Sequence, residues 1–305
     1  MPAMVMKRRG KMRQSWHDRL FDAVNITIMV LLFAVFLWPL IFVLSASFSD
    51  PSAVWNGKMW FLPVGFNVNC YEEILRYKSI WIGYGNTILY TAVGTLINLV
   101  MTVCAAYPLS RKDFVMRNFF MGMFVFTMYF GGGLIPTYLV VQKLGMLDTM
   151  WAMMIPGAVS IFNVIITRTY FQNSIPETLQ EAAELDGANS AQYLVHIVLP
   201  LSAPILAVMA LYYGVGHWNS YFDALIYLQD TNKYPLQMFL RDILIQNKVD
   251  LNMMGLDPAQ AEAKQQLAQT IKYGVMIVAS VPVLCFYPFV QKYFVKGVMI
   301  GAIKG

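Results

Sequence analysis

Long apolar stretches broken by short polar segments dominate the chain. Six stretches of 19 or more residues lack Asp, Glu, Lys and Arg: 23–49, 79–110, 118–142, 149–167, 187–222 and 273–291. A bilayer span needs about 20 mainly apolar residues. Only helices or closed barrels satisfy their backbone in lipid. The pattern predicts an all-α membrane protein with six transmembrane helices, near 24–46, 82–109, 118–141, 149–170, 197–222 and 273–292. The first, Ile26 to Leu44, is too long for a signal-peptide core and lacks a small-residue cleavage site after it. The fifth begins near Ile197, because 187–196 belongs to a polar loop. Pro200 and Pro204 lie in its first turns, and Gly214 and Gly216 are expected to loosen it further along.

Composition agrees with a membrane protein: 58% hydrophobic, 13% charged, mean hydropathy +0.53. A soluble domain carries nearer a quarter charged residues. With the N-terminus inside, 13 of the 22 Lys and Arg fall on the inner side, among them Lys7, Arg8, Arg9, Lys11, Arg13 and Arg19. That asymmetry predicts both termini and the 168–196 loop to be cytoplasmic. The net charge of +5 does not point to nucleic acid, since the basic residues cluster at membrane edges. Cys70, Cys104 and Cys285 have no metal or redox spacing, and Cys104 and Cys285 are expected to be small core residues. The expected organisation is a basic tail, 1–22, and one transmembrane domain, 23–305. Two outer segments are too long for turns: 49–78, with Trp55 and Trp60, and 229–272, with a helix-like run at 258–270.

One inner loop carries soluble-style helix chemistry. Pro176 suits a first helical turn, Glu177 and Glu181 suit a positive helix N-terminus, and Gly187 suits a left-handed stop. The run Glu181-Ala182-Ala183, three residues, Gly187, nine residues, Ile197-Val198-Leu199-Pro200 resembles the EAA loop of ABC importer permease subunits. The resemblance implies a type I ABC importer permease fold with a coupling helix at 176–188. It assigns ATPase coupling to Glu181, Ala182, Ala183, Asp186, Gly187, Ala188, Leu199 and Pro200. Glu181 would face basic or polar groups of the ATPase, Ala182 and Ala183 would allow close approach, and Gly187 would turn the chain back. A plain interfacial helix with a glycine stop is the competing reading. The full motif spacing and the independently expected cytoplasmic placement weigh against it. The chain has no Gly-x-x-x-x-Gly-Lys-Ser/Thr phosphate loop, so ATP and Mg would be used by a separate ATPase and no cofactor would bind this chain.

Phe130-Gly131-Gly132-Gly133-Leu134-Ile135-Pro136-Thr137-Tyr138 and Trp218-Asn219-Ser220-Tyr221-Phe222-Asp223-Ala224 are similar to the maltose-type carbohydrate-uptake family, nearest its LplC-type and alginate-type branch for oligo- and polysaccharides. Ile175-Pro176-Glu177-Thr178-Leu179 is also typical of sugar permeases. The chemistry of the second stretch suits sugar, because aromatic faces stack on sugar rings while amides and carboxylates satisfy hydroxyls. Trp218, Asn219, Tyr221 and Asp223 are therefore candidate path residues, with Tyr129 and Phe130 near the cavity mouth. The bland alternative places Asp223, Trp218 and Tyr221 at the outer headgroup level. Gly131–Gly133 has two readings, close helix packing or a helix break beside a cavity, and packing is the favoured one.

The resemblance implies a second homologous permease subunit, two ABC ATPases, an extracytoplasmic sugar-binding protein and residence in a bacterial cytoplasmic membrane. By the same likeness, the 229–272 loop would reach into the binding protein and displace sugar. His17, His196 and His217 form no catalytic or metal set, and the chain is not expected to be an enzyme. The competing functions are a same-class permease for peptide or amino acid, and an ion-coupled carrier. The carrier would need paired ionisable residues deep in several spans. The six charge-free stretches argue against it.

Overall fold

The computed structural model describes residues 15–249, 265–268, 270–285, 288 and 291, and all regular structure among them is helical. Most of the basic tail, residues 250–264 of the long outer segment and the end of the sixth expected span lie outside the described residues.

Helix α1, Trp16–Ser47, opens on a capping box in which Ser15 and Asp18 satisfy each other's backbone N–H groups. Its 32 residues are exposed along nearly the whole length, and only Ser45, Ala46 and Ser47 are buried. It meets the body at that end, where Trp38 packs edge-on against Phe61 at 4.1 Å and Ser45 Oγ donates to the Phe61 carbonyl. Two short helices follow, α2 (Pro51–Trp55) and α3 (Asn69–Arg76), flanking exposed Trp60.

Helix α4, Lys78–Ser110, is the hub. Its buried positions include Gly83, Thr87, Tyr90, Gly94, Asn98, Thr102 and Ala106, spaced three or four apart and mostly small or polar. Leu89, Leu96, Val100 and Met101 point outward. This inverts a soluble helix. In lipid the apolar face needs no cover, and small residues let helices approach closely. The partners on that face are α7 (Ile161–Ser174), α11 (Ala203–Trp218) and α13 (Leu236–Val249).

The third expected span is not straight. Helices α5 (Arg117–Tyr129) and α6 (Leu134–Lys143) meet at 112° across the glycine triplet. Gly133 has φ 84°, and Pro136 sits in the first turn of α6, where a missing N–H costs nothing. The helix breaks here, which overturns the packing reading. The expected span at 149–170 becomes a 3₁₀ turn, Met150–Met153, followed by the 14-residue α7.

After α8 (Glu177–Leu185), the chain runs through α9 (Ser190–Tyr193), a π-turn (Leu194–Val198) and α10 (Leu199–Leu201). It then bends by 80° into α11. The bend falls at Ser202, between the two prolines. Gly214 and Gly216 lie inside a continuous α11, contrary to the expected loosening there. Helix α12 (Tyr221–Tyr227), a 3₁₀ turn (Thr231–Lys233) and α13 follow, and α14, Gln265–Cys285, closes the described fold. Among the described residues, three helices are long and apolar enough to cross a membrane, or up to five if each bent pair is one span. Cys104 and Cys285 are exposed rather than in the core, because both sit on apolar outer faces.

Candidate functional site

Two places concentrate polar side chains on this apolar frame. The first is α8 and its supports. Pro176 occupies the cap position with extended backbone (ψ 137°), one residue before the helical turn expected for it. At the other end Gly187 has φ 79°, and Ala188 N donates to Ala183 O. Glu181, Ala182, Asp186 and Gly187 are exposed and Ala188 is partly so. Ala183 faces inward, 6% exposed, against the cluster formed by Ala106, Leu109, Phe171 and Val198. Close approach to an outside partner is thus open to Ala182 and closed to Ala183. Leu199 and Pro200 stand in α10, beyond the π-turn.

Three contacts tie this element to the end of α4. Arg111 Nη2 stands 3.3 Å from Glu184 Oε1, Tyr107 OH donates to Ser190 O at 3.2 Å, and Lys112 Nζ is 2.6 Å from Glu177 Oε2. Arg111 also donates Nε and Nη2 to the two Asp113 oxygens and Nη1 to Tyr107 OH. The Asp113 carboxylate holds the guanidinium pKa well above its ordinary value, and Arg111 in turn lowers that of Asp113. The Lys112 pair is solvent-exposed and contributes little. The Arg111 fork is the stiff link, since its side chain is only 10% exposed.

The second place is a polar cavity of about 420 Å³, lined among others by Asn98, Thr137, Tyr212, His217, Ser220 and Asp223. Asn98 Nδ2 donates to Gly157 O at 2.7 Å, which fixes the amide. Its Oδ1 therefore accepts from His217 Nε2, 2.6 Å away. Beside them, Thr102 Oγ1 and Tyr213 OH lie 2.6 Å apart. Gly94 makes the approach possible: a Cβ there would sit 2.5 Å from His217 Nε2.

Of the sequence-expected path residues, only Asp223 lines this cavity. Trp218 is 8% exposed, packs with Ile80 and Leu236, and donates Nε1 to Ala279 O. It orients α11 against α14. Asn219 is exposed and accepts from Gln237 Nε2, and Tyr221 is exposed beside Phe222. Tyr129 and Phe130 are 73% and 68% exposed and are not among the lining residues.

The segment from Tyr227 to Lys233 is held by Asp148, a non-glycine residue at φ 55°. Its Oδ1 accepts from the N–H groups of Gln229 and Asp230, its Oδ2 from Lys233 Nζ, and its N–H donates to Tyr227 O. Those amide donors, then Lys233, depress its pKa to about 2. Tyr90 OH and Asn86 Nδ2 bind the same turn to α4. The start of the expected 229–272 loop is therefore clamped to the body.

No family model matches the chain. The polygalacturonan/rhamnogalacturonan transport system permease protein YtcP of Bacillus subtilis is 39% identical over 288 residues, 94% of this chain and 99% of that protein. Protein LplC of the same organism is 38% identical over 287 residues, 94% of this chain and 96% of its own length. A bacterial ABC transporter involved in the import of the acidic polysaccharide alginate has a chain that superposes with TM-score 0.81 at 34% identity, over 93% of this chain and 100% of its own. The chain belongs to the ABC importer permeases. This permease is accordingly a transport subunit and not an enzyme.

Two features of the permease escaped sequence reasoning. Leu185 is 90% exposed at the end of α8, a large apolar side chain without cover. Its signal was its place directly before Asp186-Gly187. The Asn98–His217 pair joins residues 119 apart, and nothing in either segment announced the other.

Proposed function

We propose that this permease carries an oligo- or polysaccharide inward, driven by ATP hydrolysis on separate ATPase subunits. The polar cavity between α4, α11 and α12 carries the reading. It offers an amide, an imidazole, hydroxyls and the Asp223 carboxylate beside Tyr212, the mixture that sugar hydroxyls and ring faces require. The polygalacturonan/rhamnogalacturonan transport named for the first relative and the alginate import named for the structural neighbour support the same cargo class. In this reading Asn98, His217, Tyr212 and Asp223 line the path, and Trp218 positions α11.

The chain would span the bacterial cytoplasmic membrane six times with both termini inside, which the clustering of basic residues on that side supports. Helix α8 is the coupling helix. Leu185, Glu181 and Ala182 would dock in a cleft of the ATPase, and Arg111 would pass its displacement to α4. One coupling helix per chain and two ATPases imply a second homologous permease. ATP and Mg would bind the ATPases only. A binding protein would deliver the sugar outside, against the segment held by Asp148.

The test is ATP-dependent uptake of labelled oligosaccharide by the reconstituted complex. Asn98→Ala and Asp223→Asn should lower uptake at least tenfold while the complex stays assembled. Unchanged uptake in both variants would remove the cavity from the path, and peptide uptake in place of saccharide would overturn the cargo.

A further inference from the structure

On the same side as α8, a second cavity of about 640 Å³ opens between the end of α4, the start of α5, the end of α7 and the start of α8. Four cations line it: Arg111, Lys112, Arg117 and Arg168. Two are neutralised, Arg111 by Asp113 and Glu184, and Lys112 by Glu177. The other two are not. Arg168 donates Nε to Leu109 O at 2.8 Å, and Arg117 donates Nη1 to Arg111 O at 3.3 Å. No carboxylate pairs with either guanidinium among the described residues. Both are half-buried, so water screens them poorly. Two like charges facing one cavity repel unless an anion lies between them.

Helix geometry adds to the attraction. The N-terminus of α8 opens on this cavity with no side-chain cap, and Glu177 in its first turn offsets only part of its positive end. Depth decides the kind of anion. Arg168 lies six residues before the end of α7, about 9 Å up the helix at 1.5 Å per residue. The partly buried Tyr107 and Ile175, with the nearly buried Phe171 and Val198, line the wall around it. Charge at the polar boundary with apolar wall next to it matches a headgroup above acyl chains. A free anion or a soluble partner's side chain would find the apolar wall unused. Guanidinium forks fit phosphate oxygens two at a time.

We infer that Arg117 and Arg168 bind the phosphate group of an anionic phospholipid, seated beside the coupling helix. The inference rests on the membrane placement proposed above and not on the cargo. A lipid there would touch α4, α5, α7 and α8 together, the segments that must move when α8 is displaced.

The purified transporter complex, reconstituted in nanodiscs of phosphatidylglycerol or phosphatidylcholine and then extracted, tests this by native mass spectrometry. Retained phosphatidylglycerol is expected for the wild type, and roughly thirtyfold less for Arg117→Gln/Arg168→Gln, given about 1 kcal/mol for each of the two cations at an anionic surface. The charge-preserving Arg117→Lys/Arg168→Lys variant should recover part of the retention, which a misfolded chain would not. Arg76→Gln, on exposed α3, should change nothing. Equal retention in the Gln variant, or equal retention of both lipids by the wild type, would overturn the site. Thermal stabilisation by inorganic phosphate in the wild type but not the Gln variant, without lipid retention, would make the ligand a free anion and overturn the lipid assignment. None of these readouts involves transport, so their failure leaves the proposed cargo standing.

Discussion

Arg111 Nη2 reaches Glu184 Oε1 at 3.3 Å while the same guanidinium grips Asp113 at 2.7 Å and Tyr107 OH at 3.0 Å. The last turn of α8 is thereby fastened to the last turn of α4, the helix on which the body packs. A push on α8 has a stiff route to the Asn98–His217 pair, which sits on α4 and α11.

Replacing Arg111 should uncouple the permease. Charge-assisted hydrogen bonds contribute about 1.5–3 kcal/mol when sheltered, less where partners are exposed as Asp113 and Glu184 are. Arg111→Ala is expected to cut uptake at least tenfold while basal ATP hydrolysis persists, and Arg111→Lys should not restore it, because an ammonium cannot make the fork. Parallel uptake and ATPase assays on the reconstituted complex read the difference.

Gly187→Ala isolates backbone strain. A Cβ there meets nothing within 4 Å, yet φ is 79°. The left-handed conformation costs an L-residue about 1–2 kcal/mol. Gly187→Asn should be milder, since Asn tolerates that region. Ordering of the three proteins by thermal melting, Gly above Asn above Ala, is the expected outcome.

Leu185 tests docking without touching the permease's own packing. It is 90% exposed, so Leu185→Ser removes no internal contact. Co-purification of the ATPase should fall several-fold while the melting temperature of the permease alone stays put. Undiminished co-purification would remove Leu185 from the docking face.

Gly94→Ala should damage the cavity from within. The added Cβ would stand 2.5 Å from His217 Nε2, so the imidazole must leave Asn98. Overpacking costs typically about 1–3 kcal/mol. A lower melting temperature together with reduced uptake is expected; the same substitution at Gly216, with nothing within 4 Å, should be tolerated.

Asp148 makes the segment from Tyr227 to Lys233 acid-sensitive. Its folded pKa of about 2 lies below the ordinary 3.8, so its stabilisation is present above the ordinary value and is lost as pH falls toward the lowered one. Hydrogen exchange at the Gln229 and Asp230 amides should accelerate as pH drops from 4 to 2 beyond the intrinsic rate. Asp148→Asn should show no such step.

The helical class, the family and the capped helix of the EAA loop were legible along the chain itself. Charge-free runs of about 20 residues leave the backbone no other solution in lipid. The EAA loop was legible because it is local: a cap, a stripe and a glycine stop at set distances along one helix. The tertiary structure alone decided which faces point inward, where the spans bend and which residues form the cavity. In an ordinary soluble helix the inward face is marked by apolarity. Here Leu96 and Val100 are exposed while Asn98 and Thr102 are buried, so apolarity marks the outside and hydropathy cannot name the core. Trp218 illustrates the consequence: aromatic and amide neighbours suggested a sugar site, but its indole lies in the packing, and of that stretch Ser220 and Asp223 reach the cavity. The bend at Gly131–Gly133 was ambiguous for a related reason, since glycine serves both close packing and helix breaks, and only the partners on either side select one; the bend at Ser202 was not expected at all.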